Sequence, residues 1–208
     1  MPRLPDAAAG RYLAQTTLRS LQVAGAGFTL ALAGCGGGIP VKAVTGYTCC
    51  NLHYSDTWIS DSNYAELPFI PAGAPAKVTG YGRYRIHLEI DGKAMQYGQD
   101  YNRGEPLATL AERIVVATDP RPKIQAAPAA VRHAIEKGRV TPGMTKEQVL
   151  VSLGYPLTSH TPSLDAPAWS YWLSSFAQYD LSWDQAGRVK EIVTDEHTRL
   201  RVVEQQGK

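Results

Sequence analysis

The sequence lacks the charge and apolar patterns that mark several large classes of protein. Its 208 residues contain no run of lysine and arginine, and the formal net charge is only +2, whereas a nucleic-acid-binding protein normally carries a basic stripe. No run of 18 apolar residues follows the N-terminal segment, which excludes a polytopic membrane protein. Hydrophobic residues are 44% and charged residues 19% of the chain, so it is not a disordered polyampholyte either.

Motifs for catalysis and for metal binding are absent as well. The sequence has no Gly-x-Ser-x-Gly motif, no glycine-rich phosphate loop and no pair of acidic residues spaced for acid–base chemistry. None of the five histidines (His53, His87, His133, His160 and His197) stands at metal-ligand spacing from another histidine or a cysteine. Cys50, His53 and Asp56 are close in sequence, but catalytic partners are brought together by the fold and not by proximity along the chain. We therefore expect no enzymatic activity, no metal and no cofactor.

The N-terminal segment has the pattern of an export signal. Arg3, Arg11 and Arg19 stand against one acidic residue, Asp6, and a glycine-interrupted apolar stretch of about a dozen residues follows, shorter than the roughly 20 residues that a spanning helix needs. Removing residues 1–34 as a signal peptide leaves 18 basic and 18 acidic residues. The mature chain is therefore predicted to be formally neutral.

The end of the apolar stretch indicates a particular kind of export signal, that of a lipoprotein. Leu32-Ala33-Gly34-Cys35 resembles a bacterial lipobox, and this resemblance implies cleavage before Cys35 and acylation of its thiol. The residue after the cysteine is Gly36 and not aspartate, which in such signals goes with sorting to the outer membrane. Residues 35–43 are predicted to be a flexible tether, and two or more acyl chains are needed for firm anchoring. The alternative is an ordinary cleaved signal with a chance cysteine.

The two remaining cysteines, Cys49 and Cys50, are adjacent. Neighbouring Cα atoms lie about 3.8 Å apart across a trans peptide, whereas ordinary disulfides span roughly 4.4–6.8 Å. A vicinal disulfide would therefore be strained and readily reduced, although an oxidising periplasm permits it. Two free thiols, one of them buried, or an intermolecular bridge remain as alternatives.

Residues 44–117 are predicted to form a mostly β module. Residues 83–90 alternate polar and apolar residues, and Asp91-Gly92 then predicts a tight hairpin that pairs Ile90 with Lys93, Leu88 with Met95 and Ile86 with Tyr97. Further strands are expected at 48–54, 64–70 and 76–80, with a helix at 106–115. Several short strands with frequent turns indicate a small antiparallel barrel or a curled sheet, loosely similar to bacterial SH3-like modules.

Residues 118–126 are proline-rich and are predicted to be a linker between two organised parts, because proline fixes φ and removes a hydrogen-bond donor. In residues 127–195, helices are expected at 128–137 and from Met144 to Gly154. Thr145 and Gln148 have the spacing of a capping box. Strands are expected at 168–172, 177–183 and 188–194, and residues 196–208 are predicted to be a solvated tail.

The second part resembles a known family. Residues 143–156 read Gly-Met-Thr-x-x-Gln-Val-x-x-x-Leu-Gly-x-Pro, followed by the aromatic group Trp169, Tyr171 and Trp172 and by Gly187-Arg188-Val189. This pattern is similar to the SmpA/OmlA (BamE-like) family of outer-membrane lipoproteins. The resemblance implies an α+β fold in which two helices pack on a three-stranded antiparallel sheet, here preceded by the β module. A related fold occurs in β-lactamase inhibitor proteins, so protein binding is the broader expectation.

The same resemblance implies a periplasm-facing, lipid-anchored protein of the cell outer membrane. Family members dock on subunits of the machine that inserts β-barrel proteins, and they contact anionic phospholipid. The first hypothesis for this chain is accordingly a non-catalytic scaffold that binds an envelope protein and no nucleic acid. Residues 41–126 form an additional module that a typical small member lacks.

The second hypothesis is a ligand-binding lipoprotein. Seven of the eleven tyrosines lie in the first module, at 47, 54, 64, 81, 84, 97 and 101. Their rings could grip a glycan, a peptide or a small molecule, or they could simply be good strand residues with amphipathic side chains. Rings that line an open groove would support the ligand-binding hypothesis, whereas rings that face the interior of the module would remove its basis.

Overall fold

A computed structural model describes residues 44–205. The predicted signal peptide 1–34, the acylation site Cys35 and the tether 35–43 lie outside the described residues, as do residues 206–208. Residues 44–205 belong to one compact unit, in which strands and helices are mixed.

The described part of the chain contains eleven strands and five helices. The strands are β1 (Thr45–Thr48), β2 (Leu52–His53), β3 (Trp58–Ser60), β4 (Phe69–Ile70), β5 (Pro75–Tyr81), β6 (Arg85–Ile90), β7 (Lys93–Gly98), β8 (Val115–Val116), β9 (Ala168–Ser174), β10 (Ala177–Trp183) and β11 (Val189–Val193). The helices are α1 (Leu107–Ile114), α2 (Arg121–Ala126), α3 (Ala129–Glu136), α4 (Lys146–Leu153) and α5 (Glu196–Val202).

A curled six-stranded sheet has the order β3-β7-β6-β5-β1-β8. The predicted hairpin at its centre is confirmed: Ile90 pairs with Lys93, Leu88 with Met95 and Ile86 with Tyr97. Asp91 and Gly92 both have positive φ, at 49° and 74°, as a turn of this kind requires. Alternate residues of β6 are buried and pack with the apolar side chains of β5, β7 and α1.

Two strand predictions in this module are wrong in their extent. The predicted strand at 48–54 is broken: β1 ends at Thr48 and β2 covers only Leu52–His53, because Asn51 N–H turns away to donate to the Val151 carbonyl of α4. Of the predicted strand at 64–70, only Phe69–Ile70 is a strand, paired with Leu52–His53. Residues 64–67 form a turn instead, closed by a hydrogen bond from Leu67 N–H to the Tyr64 carbonyl.

The second part contains the expected three-stranded antiparallel sheet, in the order β11-β10-β9. The capping box of α4 is confirmed in both directions, since Gln148 N–H donates to Thr145 Oγ1 and Thr145 N–H donates to Gln148 Oε1. The register between β10 and β11 shifts between Ser182 and Trp183. This irregularity explains why the last strand lacks a clean alternation of polar and apolar residues.

Helices lie within the ranges predicted to be the linker and the solvated tail. Residues 121–126 form α2, in which Pro120 is the N-cap and Pro122 lies in the first turn, where a missing N–H costs nothing. Within the predicted tail, residues 196–202 form α5, whose Val202 is fully buried. Asp195 caps this helix by accepting from Thr198 N–H at 3.0 Å. Both helices extend the core that the three-stranded sheet shares with α3 and α4.

The two parts are joined by the buried side chain of Asn51. Its Nδ2 donates to the Ile135 carbonyl of α3 at 2.7 Å and to the Ser152 carbonyl of α4 at 3.1 Å, and its Oδ1 accepts from Ala72 N–H at 3.0 Å. Asn63 adds a bond from its Nδ2 to the Leu153 carbonyl at 2.8 Å. Polar groups buried with all their partners in place fix one arrangement of the elements around them.

Candidate functional site

Three loops from both parts of the chain meet at an exposed group of aromatic side chains. The group comprises Tyr64, Tyr101 and Phe176, with Ser175 beside them, and we call these four residues the aromatic tip. The Tyr64 hydroxyl donates to the Tyr101 hydroxyl at 2.7 Å, and Ser175 Oγ donates to the Tyr64 hydroxyl at 3.3 Å. The two tyrosine rings meet edge to face, with centroids 6.2 Å apart.

Phe176 lies in the two-residue turn between β9 and β10, and its side chain is 99% exposed. Tyr101 is 54% exposed, and Tyr64 is half-buried. A single exposed apolar residue is ordinary in a soluble protein, but contiguous exposed aromatic rings mark interaction surfaces. Phe176 is linked to the two tyrosines through its neighbour Ser175, whose Oγ donates to the Tyr64 hydroxyl.

The loop that carries Tyr101 is held by a buried carboxylate. Asp61 accepts from the N–H groups of Asp100, Tyr101 and Asn102 at 3.1, 3.1 and 2.9 Å. Burial raises the pKa of the Asp61 carboxyl, and these backbone N–H groups work in the opposite direction. The turn that carries Tyr64 is fixed as well, since Ala65 N–H and Glu66 N–H donate to carbonyls of β9. The aromatic tip is therefore presented on a rigid base.

The Tyr101 hydroxyl is uncharged at neutral pH. The hydrogen bond from Tyr64 raises the pKa of Tyr101 above its ordinary value, and the un-ionised phenol is the form that donates and accepts hydrogen bonds. The tip thus presents apolar rings with neutral polar groups, a combination enriched at the centres of protein interfaces.

The other tyrosines of the first module do not converge on a common groove. Tyr97 is buried in the module, and Tyr54 and Tyr81 pack against its core. Tyr47 lies under the guanidinium of Arg121, and Tyr84 contacts two arginines. A cleft of about 570 Å³ in the described residues is lined by a single tyrosine, Tyr155, which belongs to the second part. The tyrosine-based ligand hypothesis therefore loses the observation that motivated it.

The two adjacent cysteines, Cys49 and Cys50, follow directly after β1. Cys49 Sγ is bonded to Cys50 Sγ, and both residues are buried. The hydrogen bonds of Cys49 N–H and Asn51 N–H fix the backbone on either side of the pair. Cys35 lies outside the described residues, so its acylation stays a prediction.

The local group Cys50, His53 and Asp56 does not assemble into a catalytic arrangement. Cys50 is in the disulfide, and His53 Nδ1 faces the Leu67 carbonyl at 2.6 Å. Asp56 is exposed in a turn with positive φ. Within residues 44–205, no three histidine, cysteine or acidic side chains form a cluster that could hold a metal ion. Nor does any helix in this range have the length and the apolar character needed to cross a membrane.

His53 predicts a pH-dependent contribution to stability. A carbonyl can only accept, so Nδ1 carries the proton, and the buried Nε2 has no hydrogen-bond partner. Burial lowers the pKa of His53 below its ordinary value, more than the bond to Leu67 raises it. The unfolded chain therefore takes up a proton first as the pH falls, and the contribution of His53 to stability is lost below its ordinary pKa of about 6.5.

The measurement is urea unfolding of the full chain at pH 7.5 and pH 5.0. We expect a His53→Gln variant to lose less stability between these two values than the parent protein, because its side chain does not titrate. His160→Gln, at an exposed position, is the matched control and should keep the dependence of the parent. Equal pH dependence in all three proteins would contradict this assignment.

Phe176 is a candidate residue that the sequence patterns did not single out, although a signal exists. The turn between two alternating strands normally contains glycine, asparagine, aspartate or another polar residue, whereas here it reads Ser175-Phe176. Phe176 is 99% exposed in this turn, so it does not contribute to the core of its own sheet. Comparison with models of protein families, with curated proteins and with solved structures finds no match to this chain.

Proposed function

We propose that this chain is a non-catalytic interaction protein of the bacterial outer membrane, anchored by acyl chains on Cys35 and facing the periplasm. In this proposal it docks an envelope protein through the aromatic tip. The observation that carries the docking function is Phe176, which is 99% exposed in the turn whose other residue, Ser175, is bonded to the Tyr64 hydroxyl. The lipobox-like sequence that ends at Cys35 supports the anchor.

The rigidity of the tip supports protein docking. Phe176 stands on a short turn between two paired strands, and Asp61 and β9 fix the neighbouring loops. A preorganised surface loses little conformational entropy on binding, and buried aromatic residues contribute a large share of interface energy. An exposed aromatic group on a rigid base is therefore better suited to docking than to enclosing a small molecule.

The process in which the protein acts is proposed from the resemblance to the SmpA/OmlA family. We assign to residues 127–195 the fold of that family, in which two helices pack on one face of a three-stranded sheet. Residues 44–117 are assigned to an additional, small-barrel (SH3-like) module. By this resemblance the partner is a subunit of the β-barrel assembly machine. The capping box at Thr145 and the antiparallel sheet support the assignment.

The test is site-specific crosslinking in cells that produce the full chain. A photoreactive benzoylphenylalanine at position 176 should crosslink to a subunit of the assembly machine. The Phe176→Ser variant should recover at least about tenfold less of that subunit, because a hot-spot aromatic residue contributes roughly 2 kcal/mol or more. Leu200→Ser is the matched control, since Leu200 is 56% exposed on α5, and it should leave recovery unchanged.

A second control separates anchoring from docking. A Cys35→Ser variant should no longer be found in the membrane fraction. The intact mass of the parent protein should include the mass of its acyl chains. Sedimentation of Cys35→Ser with membranes would refute the anchor. Recovery of no assembly-machine subunit, together with normal levels of barrel proteins after deletion, would refute the role in barrel assembly.

A further inference from the structure

A cleft with a volume of about 570 Å³ lies between α2, α3, α4 and Cys49, the residue that follows β1. This volume falls within the range of roughly 300–1,000 Å³ that small-molecule sites occupy. The α2 wall belongs to the segment that the sequence predicted to be a linker. The apolar lining side chains include Ile124, Ala127, Ile135, Leu150, Val151 and Tyr155.

The cleft changes in character from its floor to its rim. At the floor, Ile135, Ile124 and Cys49 are 3%, 8% and 8% exposed. At the rim, Lys123 of α2 and Glu147 of α4 form an ion pair at 2.6 Å, with side chains that are 73% and 67% exposed. An occupant therefore needs an apolar body for the floor and a charged or polar end for the rim.

Several polar groups of the walls are already engaged in hydrogen bonds within the protein. Thr145 and Gln148 are both engaged in the capping box of α4. The carbonyls of Gln125 and Ala127, where α2 ends, lie within hydrogen-bond distance of Arg132 Nη1. An extended peptide would leave its amide groups unpaired against these walls, which is costly. A hydrocarbon chain has no such groups, and the observations favour it.

The rim selects the head group. The charged side chains that line the cleft are Lys123, Glu147 and Asp119, and Asp119 is already paired with Arg121 at 2.7 Å. Lys123 and Glu147 are in contact with each other, so a purely anionic head near Lys123 would also face the Glu147 carboxylate. A zwitterionic head can satisfy both, with its anion on Lys123 and its cation on Glu147. Because the pair is exposed on both sides, exchanging it for head-group contacts costs little.

We propose that this cleft binds a single-chain zwitterionic phospholipid. Its acyl chain lies on the floor between α2, α3 and α4, its phosphate contacts Lys123 Nζ, and its ammonium group contacts the Glu147 carboxylate. The site is separate from the aromatic tip, so this binding does not rest on the proposed docking function.

The test uses the full chain and a lysophosphatidylethanolamine whose acyl chain ends in a photoreactive diazirine. Crosslinks mapped by mass spectrometry should fall on the floor, at Ile124, Ile135, Leu150 or Val151. Leu150→Trp fills the cleft and should reduce labelling at least about tenfold, whereas Leu200→Trp, an exposed leucine on α5, should not. If Leu150→Trp does not fold, Ala127→Trp fills the same space from the opposite wall.

The rim is tested by binding constants for two probes. Lys123→Met and Glu147→Gln should each weaken lysophosphatidylethanolamine binding by about threefold or more and leave a neutral alkyl glucoside of the same chain length unaffected. Lys190→Met, at an exposed lysine on β11, is the control. Crosslinks outside the floor, or full labelling of Leu150→Trp, would overturn the site. Tighter binding of lysophosphatidylglycerol, weakened by Lys123→Met alone, would overturn the zwitterionic assignment.

Discussion

Asn51→Asp should destabilise the folded chain by about 3–5 kcal/mol at pH 7, although the substitution changes the side chain by only one atom. Asn51 is 2% exposed, and its Nδ2 donates to carbonyls of both α3 and α4. An aspartate places an acceptor where those two carbonyls need a donor and buries a charge without a partner, and each loss costs roughly 1–3 kcal/mol or more. The measurement is the free energy of unfolding in urea.

The same variant has a pH signature that a simple packing defect lacks. As the pH falls, the buried carboxyl becomes neutral and can donate one hydrogen bond to a carbonyl. The difference in stability between Asn51→Asp and the parent should therefore shrink in acid. Gln125→Glu makes the same chemical change at an exposed position of α2 and should alter stability by less than about 0.5 kcal/mol. An Asn51→Asp variant as stable as Gln125→Glu would show that Asn51 does not join the two parts.

The features that could be predicted from the sequence are those with local causes. The Asp91-Gly92 turn fixes the register of the β6–β7 hairpin within a few residues. The capping box needs only Thr145 and Gln148, three positions apart. In each case the chemistry that defines the element lies inside it, so a short window contains the whole signal.

The features that could not be predicted depend on contacts distant in sequence. Asn51 bonds to residues 84 and 101 positions away, and no pattern around it indicates this role. The aromatic tip combines loops at 64, 101 and 176. The many tyrosines of the first module were noticed in the sequence, but nothing there indicated that Phe176, from the second part, belongs with them. The cleft could not be predicted from the sequence because one of its walls, α2, has the proline content of a linker. Ile124, the apolar residue that anchors this helix in the core, is the only local sign of burial.

A substitution in α5, the last helix, should have the second large effect on stability. The sequence of this segment predicts a solvated tail, but the helix contributes to the core. Val202→Asp should destabilise the protein by about 4 kcal/mol or more and leave it largely unfolded at 37 °C. Val202 is fully buried among the side chains shared by α3, α4 and the three-stranded sheet. An aspartate there is an unpaired charge in an apolar site.

The matched control lies two residues away on the same helix. Leu200 is 56% exposed, so Leu200→Asp introduces the same charge into water, near a helix C-terminus, at an expected cost below about 1 kcal/mol. Thermal unfolding followed by circular dichroism measures both variants. If residues 196–205 were a solvated tail, both substitutions would be harmless. Because α5 contacts β9 and β10 and buries Val202 against the core, we expect only Val202→Asp to unfold the chain. Equal stability of the two variants would contradict the placement of this helix.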